Sequence, residues 1–271
     1  MSSSAKVYPK RLKLGKQRAV GIENELFMRG GRNQHITQGQ KQSINKKILS
    51  HTKTDCGAIE FVTKPILLSS LKWGNGRNQL DNYYKTIQKI AKVSGNNGSH
   101  IHISLLDTDR KDIVARVLFL QSIFYKQLQK VAGRKTTWAK SPGVMNMKIA
   151  RDREEIMCLS GMPAYDKKGV TRGGRRPNYL RSYYMITPTN KNTLEFRGPK
   201  GTVKTEEMLA WIELLHNIVK EANRPELSSL SFKDLLKGKN ISRYVASLPK
   251  YRQLTEKQLN QTLTEGAIAC A

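Results

Sequence analysis

The chain has 271 residues, enough for one substantial core or two modest ones at the usual size of about 100 to 200 residues per domain. Its apolar share of 38% is low for a globular protein, but those residues cluster in periodic stretches, which argues against a disordered chain. Forty-eight Lys and Arg against 21 Asp and Glu leave a net charge of +27, a field that attracts polyphosphate, nucleic acid or another acidic macromolecule without naming a chemistry.

No apolar run approaches the roughly 20 residues that span a bilayer, and the amino terminus lacks the apolar core of a signal peptide. A soluble chain with no membrane partner is the expectation. Cys56, Cys158 and Cys270 are odd in number, widely spaced and without a C-x-x-C pair. That pattern argues against a disulfide framework or a thiolate zinc site and for a reducing cytoplasm.

Residues 1–18 carry six bases and no acid, the composition of a mobile basic arm. Val20, Ile22 and Leu26, with Glu23 and Glu25 between them, predict a strand over 18–27 that Gly30 and Gly31 end. The polar stretch 32–53 reads as an irregular excursion or a frayed helix. A second strand is expected over 58–62, stopped by Pro65. Leu80, Tyr83, Tyr84, Ile87, Ile90 and Ala91 have the spacing of an amphipathic helix over 80–93 that ends at Gly95. Residues 101–106 are again strand-like.

Over 112–131, Ile113, Val117, Leu120, Phe124 and Leu128 recur every three or four residues, the strongest helical pattern in the chain. Between 167 and 181 lie six basic residues loosened by Gly169, Gly173 and Gly174, a basic loop. Runs 183–187 and 193–197 form a natural hairpin around 188–192. A helix over 205–221, with Thr205 as its cap, puts Met208, Trp211, Ile212, Leu215 and Ile218 on one face. Short helical pieces follow Pro225. The expected division is a basic arm (1–18), a catalytic domain (19–225) and a helical extension (226–271).

In the first 80 residues, Glu23, Glu25 and Glu60 are among the few acids against a heavily basic background. Glu23 and Glu25, two residues apart on a strand, point to one face and can serve neighbouring metal ions; for an isolated E-x-E, salt bridges to nearby bases are the ordinary alternative. His100 and His102 repeat that spacing in Gly98-Ser99-His100-Ile101-His102-Ile103-Ser104, with Ile101 and Ile103 turned to the core. Glu195 and Arg197 set an acid beside a guanidinium, which suits a metal ligand next to an anion clamp. Oxygen-rich ligand sets of this kind suit magnesium, which usually keeps contacts to substrate phosphates.

Four motifs in this order resemble those of the amidoligase family, relatives of glutamine synthetase and the glutamate-cysteine ligases. They are Gly21-Ile22-Glu23-Asn24-Glu25, Asp55-Cys56-Gly57-Ala58-Ile59-Glu60-Phe61, the histidine strand at 98–104 and the Glu-x-Arg strand at 193–197. The resemblance covers residues 19–202 and implies an α+β, glutamine-synthetase-like catalytic domain: a curved, mainly antiparallel sheet backed by the helices at 112–131 and 205–221. It implies ATP and Mg2+ (or Mn2+) as cofactors. Glu25 and Glu60 would hold one ion, and Glu23, His100 and Glu195 the other. His102, Ser104 and Arg175 would meet the nucleotide, while Arg197, Arg181 and Arg176 would handle the acid and the transferred phosphoryl group. The likeness departs from glutamine synthetase in the short chain, in the lack of a visible amino-terminal domain and at Asp55, which either completes a metal site or orients its loop.

The reaction that follows is carboxylate-amine ligation through an acyl phosphate, on small acid and amine substrates or, given the charge, on a nucleic acid or acidic macromolecule. Two other classes compete: a metal-dependent nuclease or phosphodiesterase using the same side chains, and a non-catalytic nucleic-acid-binding protein with a relict ligase site. Cys56 has no activating base nearby in sequence and reads as a packed thiol. Trp73, Trp138, Tyr179, Tyr183 and Tyr184 read as packing residues rather than stacking platforms.

Overall fold

In the computed structural model, residues 17–29, 39–40, 44, 48–55, 58–94, 97–110, 113–132, 186–188, 193–249 and 251–262 are described. Strand β1 (Ala19–Met28) lies at the centre of the sheet: Val20, Ile22 and Leu26 are fully buried on one face, with Asn24 the polar exception among them, while Glu23 and Glu25 take the other face. β2 (Leu49–Asp55) and β3 (Ala58–Thr63) extend the sheet on one side of β1. On the other side lie β6 (Ser99–Ser104), then β8 (Thr193–Phe196) and β7 (Ile186–Pro188). Two-residue strands β4 (Ile66–Leu67) and β5 (Ala91–Lys92) pair with the ends of β1. The order is β2-β3-β1-β6-β8-β7, and among the described residues every strand pairing is antiparallel in an open sheet, the α+β architecture expected.

Helices cover the apolar face. After the short α1 (Leu68–Trp73), α2 (Asn75–Ile90) buries Leu80, Tyr83, Tyr84 and Ile87. Then come α3 (Ile113–Ile123), α4 (Tyr125–Ala132) and α5 (Thr205–Ala222). One continuous core joins this layer to Ile22, Phe61, Ile101 and Phe196 of the sheet. Three short helices follow: α6 (Phe232–Leu235), α7 (Lys239–Ser247) and α8 (Glu256–Leu259). Phe232, Ile241 and Val245 belong to the same core, and the Glu213 carboxylate of α5 accepts the Ile241 N–H at 2.7 Å. Gly238 ahead of α7 has φ +139°, and any side chain there would strike Glu213.

Several boundaries depart from the sequence pattern. Residues 49–55 form an edge strand, not an excursion or a helix. Its Ser50, His51, Lys53 and Thr54 are exposed, so no apolar alternation announces it, and it is held by pairing with β3. Helix α2 begins five residues before Leu80 and stops at Ile90, because Ala91 and Lys92 pair with Met28 and Phe27. The predicted helix over 112–131 is interrupted at Phe124, although Phe124 N–H still bonds Leu120 O and Leu128 N–H bonds Phe124 O; all five predicted apolar positions are buried. Lys204, not Thr205, is the cap residue of α5. Thr202 instead braces that end, accepting the Lys204 N–H at 3.0 Å and donating to Glu207 at 2.7 Å. The third motif strand is 99–104, and the hairpin is confined to 186–188 and 193–196, with 183–185 outside the described residues. Arg18 is anchored, not mobile: it bonds Asp109 and the Ser104 carbonyl.

Candidate functional site

Four neighbouring strands bring the acids and imidazoles together by register alone. On β1, Glu23 stands between Val62 of β3 and His100 of β6, and Glu25 stands opposite Glu60. On β6, His102 stands between Gly21 and Glu195. Because side chains alternate, Glu23, Glu25, Glu60, His100, His102 and Glu195 share the face opposite the helices. Their neighbours Ile22, Ile101, Phe61 and Phe196 are fully or almost fully buried on the other face. The loop after β8 is docked against β6: Gly201 N–H bonds Asn97 O at 2.8 Å and Ser99 N–H bonds Pro199 O at 3.1 Å.

The groups are close. His102 Nε2 lies 3.3 Å from Glu23 Oε1, His100 Nε2 lies 3.4 Å from Glu25 Oε1, and His100 Nδ1 lies 3.6 Å from Glu195 Oε1. Arg197 Nη1 donates to Glu195 Oε1 at 2.5 Å. Lys53, across the β2–β3 pair, reaches Glu60 Oε1 at 2.8 Å. Gly98 N–H donates to Glu25 Oε2 at 3.1 Å. His102 Nδ1 is 3.4 Å from Thr193 Oγ1.

Packing four carboxylates on one face sets their ionisation against one another. Burial pushes the Glu60 carboxyl up to about 7; its hydrogen bond with Glu23 acts in the same direction, and Lys53 opposes both. Glu23 goes the other way: burial is outweighed by the imidazoles of His100 and His102, which hold it well below the usual carboxylate range. For Glu195 burial likewise opposes ionisation, but the charges of His102, Arg197 and His100 prevail and lower it. The proton therefore belongs to Glu60, while Glu23 stays ionised beside the two imidazoles.

The donor set fits a divalent cation. Ligand atoms of Glu23, His102 and Glu195 all lie within 4.8 Å of one another. His100 is 3% exposed, and among the described residues its buried Nε2 makes no hydrogen bond, although Glu25 Oε1 lies 3.4 Å away. The carboxylate oxygens suit a hard divalent cation, and the imidazoles add nitrogen donors that transition-metal ions accept.

All five residues assigned to metal by resemblance, Glu23, Glu25, Glu60, His100 and Glu195, are therefore on one face, with His102 and Arg197 beside them. His102, assigned to nucleotide, is the imidazole that forms a three-ligand group with Glu23 and Glu195. Ser104 ends β6, where its Oγ accepts the Ala19 N–H at 2.8 Å. Asp55 ends β2 opposite Ala58. Arg172, Arg175, Arg176 and Arg181 lie outside the described residues. Sequence reasoning missed Lys53, whose only signal was its place between Thr52 and Thr54, two β-prone residues, and missed Thr193 as a neighbour of His102.

No protein-family model matches the chain, and no curated protein matches it in sequence. Solved structures show a likeness. The chain is similar to the glutamate-cysteine ligase of Francisella tularensis in complex with AMP, with a TM-score of 0.43 and 13% identity over 93% of this chain and 76% of that one. It is similar to the glutamine synthetase of Plasmodium falciparum, with a TM-score of 0.36 and 13% identity over 79% and 54% of the two chains. A third likeness is to the complex of the prokaryotic ubiquitin-like protein Pup with its ligase PafA, with a TM-score of 0.33 and 11% identity over 93% and 62%. The chain thus spans less than two thirds of the second and third. With TM-scores below 0.5 these likenesses carry no weight for function, which has to be argued from the chain's own residues.

Proposed function

We propose that this chain is an ATP- and magnesium-dependent carboxylate-amine ligase. The observation that supports it above all is the convergence of Glu23, Glu25, Glu60, His100, His102, Glu195 and Arg197 on one sheet face, with distances of 2.5 to 3.8 Å between partners. Bound divalent ions would neutralise the nucleotide phosphates and the charge that develops on them. Glu25 and Glu60 would hold one ion, and Glu23 and Glu195 with His100 or His102 the other.

The chain's residues then have separable tasks. A substrate carboxylate oxygen attacks the γ-phosphorus of ATP, ADP leaves, and an acyl phosphate remains; an amine attacks its carbonyl carbon, phosphate departs and the nitrogen loses a proton to leave an amide. Arg197, held by Glu195, presents its guanidinium to the acid or to the transferred phosphoryl group. Arg176 and Arg181 would assist it and Arg175 would meet the nucleotide. Ser104, already bonded to the Ala19 amide, would contribute through the fixed end of β6. The net charge of +27 supports a substrate that is itself a nucleic acid or an acidic macromolecule.

The test is release of ADP and phosphate across a panel of acids and amines, with mass spectrometry of the products. Release that depends on both an acid and an amine, with the mass of an amide, supports the ligase. Cleavage of DNA or RNA with no need for ATP would overturn it in favour of a phosphodiesterase.

A further inference from the structure

Directly behind the carboxylates, on the helix-covered side of the sheet, is a polar cluster that this chemistry does not use. Asn24, between Glu23 and Glu25 on β1, is fully buried, and so is Ser99, next to His100 on β6. Ser99 Oγ donates to Asn24 Oδ1 at 2.7 Å, and Asn24 Nδ2 donates to the Tyr84 hydroxyl at 2.9 Å. Tyr84 comes from α2, where its ring meets Tyr83 edge-on at 5.1 Å, and burial keeps its phenol neutral.

Apolar side chains would fill the same space without the cost of removing an amide and two hydroxyls from water. What the polar groups add is direction. Asn24 and Ser99 are Cα partners, so their bond forms only in the register that pairs Glu23 with His100. A slip of one residue would turn His100 into the core and Ser99 onto the open face. The Tyr84 hydroxyl ties the same point to the helix layer. Backbone bonds cannot discriminate between registers in this way, because each register offers an equivalent ladder.

We infer that Asn24, Ser99 and Tyr84 are positioning residues, a register clamp that aims Glu23, Glu25 and His100 at their cation. This role rests on the metal-centre reading above, so the experiment separates the two. Mn2+ binding to the full chain is followed by electron paramagnetic resonance, well below the unfolding temperature, in wild type, Tyr84→Phe, Ser99→Ala, Glu23→Gln and Ile87→Val. Ile87→Val removes a buried methyl group from the same helix without touching the clamp.

Both clamp variants are expected to bind Mn2+ about tenfold more weakly, the scale of a lost bond behind a metal ligand. In the metal-free protein the His100 ring signals in NMR shift in these two variants. Ile87→Val lowers the melting temperature but leaves Mn2+ affinity and the His100 signals unchanged, a pattern that a purely structural role for the clamp would also show in Tyr84→Phe and Ser99→Ala. Unchanged Mn2+ affinity in both clamp variants, with a weakened Glu23→Gln, overturns the clamp alone. If Glu23→Gln also binds as wild type does, the metal centre falls and the clamp falls with it.

Discussion

The two faces of strand β1 are made by the same ten residues and obey opposite rules. Toward the helices, Val20, Ile22 and Leu26 are fully buried and packed, with Asn24 as the one polar group among them. Toward the open side, Glu23 and Glu25 are only partly covered and crowd against imidazoles and further carboxylates. The packed face stabilises the sheet, while on the open face imidazoles and Arg197 hold Glu23 and Glu195 ionised and burial pushes Glu60 the other way. A site of this kind is affordable because the other face of each strand is apolar and packed.

Substitutions on the two faces are expected to separate stability from activity. The largest effect belongs to the packed face: Phe61→Ala should lower the unfolding free energy by about 3 to 5 kcal/mol in urea titration, the usual result of emptying a buried aromatic site. A variant that unfolds as wild type does would show that the sheet does not depend on this packing. On the open face, Glu23→Gln should cut acid- and amine-dependent ADP release about 100-fold, as loss of a preorganised charged group does. Full activity in that variant is incompatible with the ligase proposal.

The pH dependence sharpens the contrast. Glu60 holds its proton more tightly in the folded chain, at about 7 against 4.5. Its contribution to stability is therefore complete below 4.5 and is lost as pH rises through about 7. Glu23 is shifted the opposite way and acts below that window. Metal-free wild type should accordingly lose stability relative to Glu60→Gln between pH 4.5 and 7, by thermal melting; parallel curves would contradict the crowding of these carboxylates. The smallest effect is expected at Lys53, whose side chain is 53% exposed. Lys53→Ala should change stability by no more than about 1 kcal/mol, since an exposed partner is screened by water. A much larger loss would make that pair a structural element of the sheet edge.

Much of the open face was legible because E-x-E, H-x-H and E-x-R spacings each put two groups on one side of a strand. Lys53 was not, because an exposed edge strand shows no apolar alternation and is specified by its partner. The clamp was hidden for a different reason: Asn24 and Ser99 are polar residues at positions whose parity assigns them to the core, a signal that only a known pairing register makes meaningful.

Local patterns were enough to find the half-buried strands β1, β3, β6 and β8 and the apolar helix faces, since burial has a period of two in one case and 3.6 in the other; the edge strand β2 carries no such pattern. They could not decide which strands lie side by side. Pairing β1 with both β3 and β6 joins Glu25 to Glu60 and Glu23 to His100 across 35 and 77 positions of chain. Those encounters come from the packing of the whole apolar face against its helices, and no local spacing contains them.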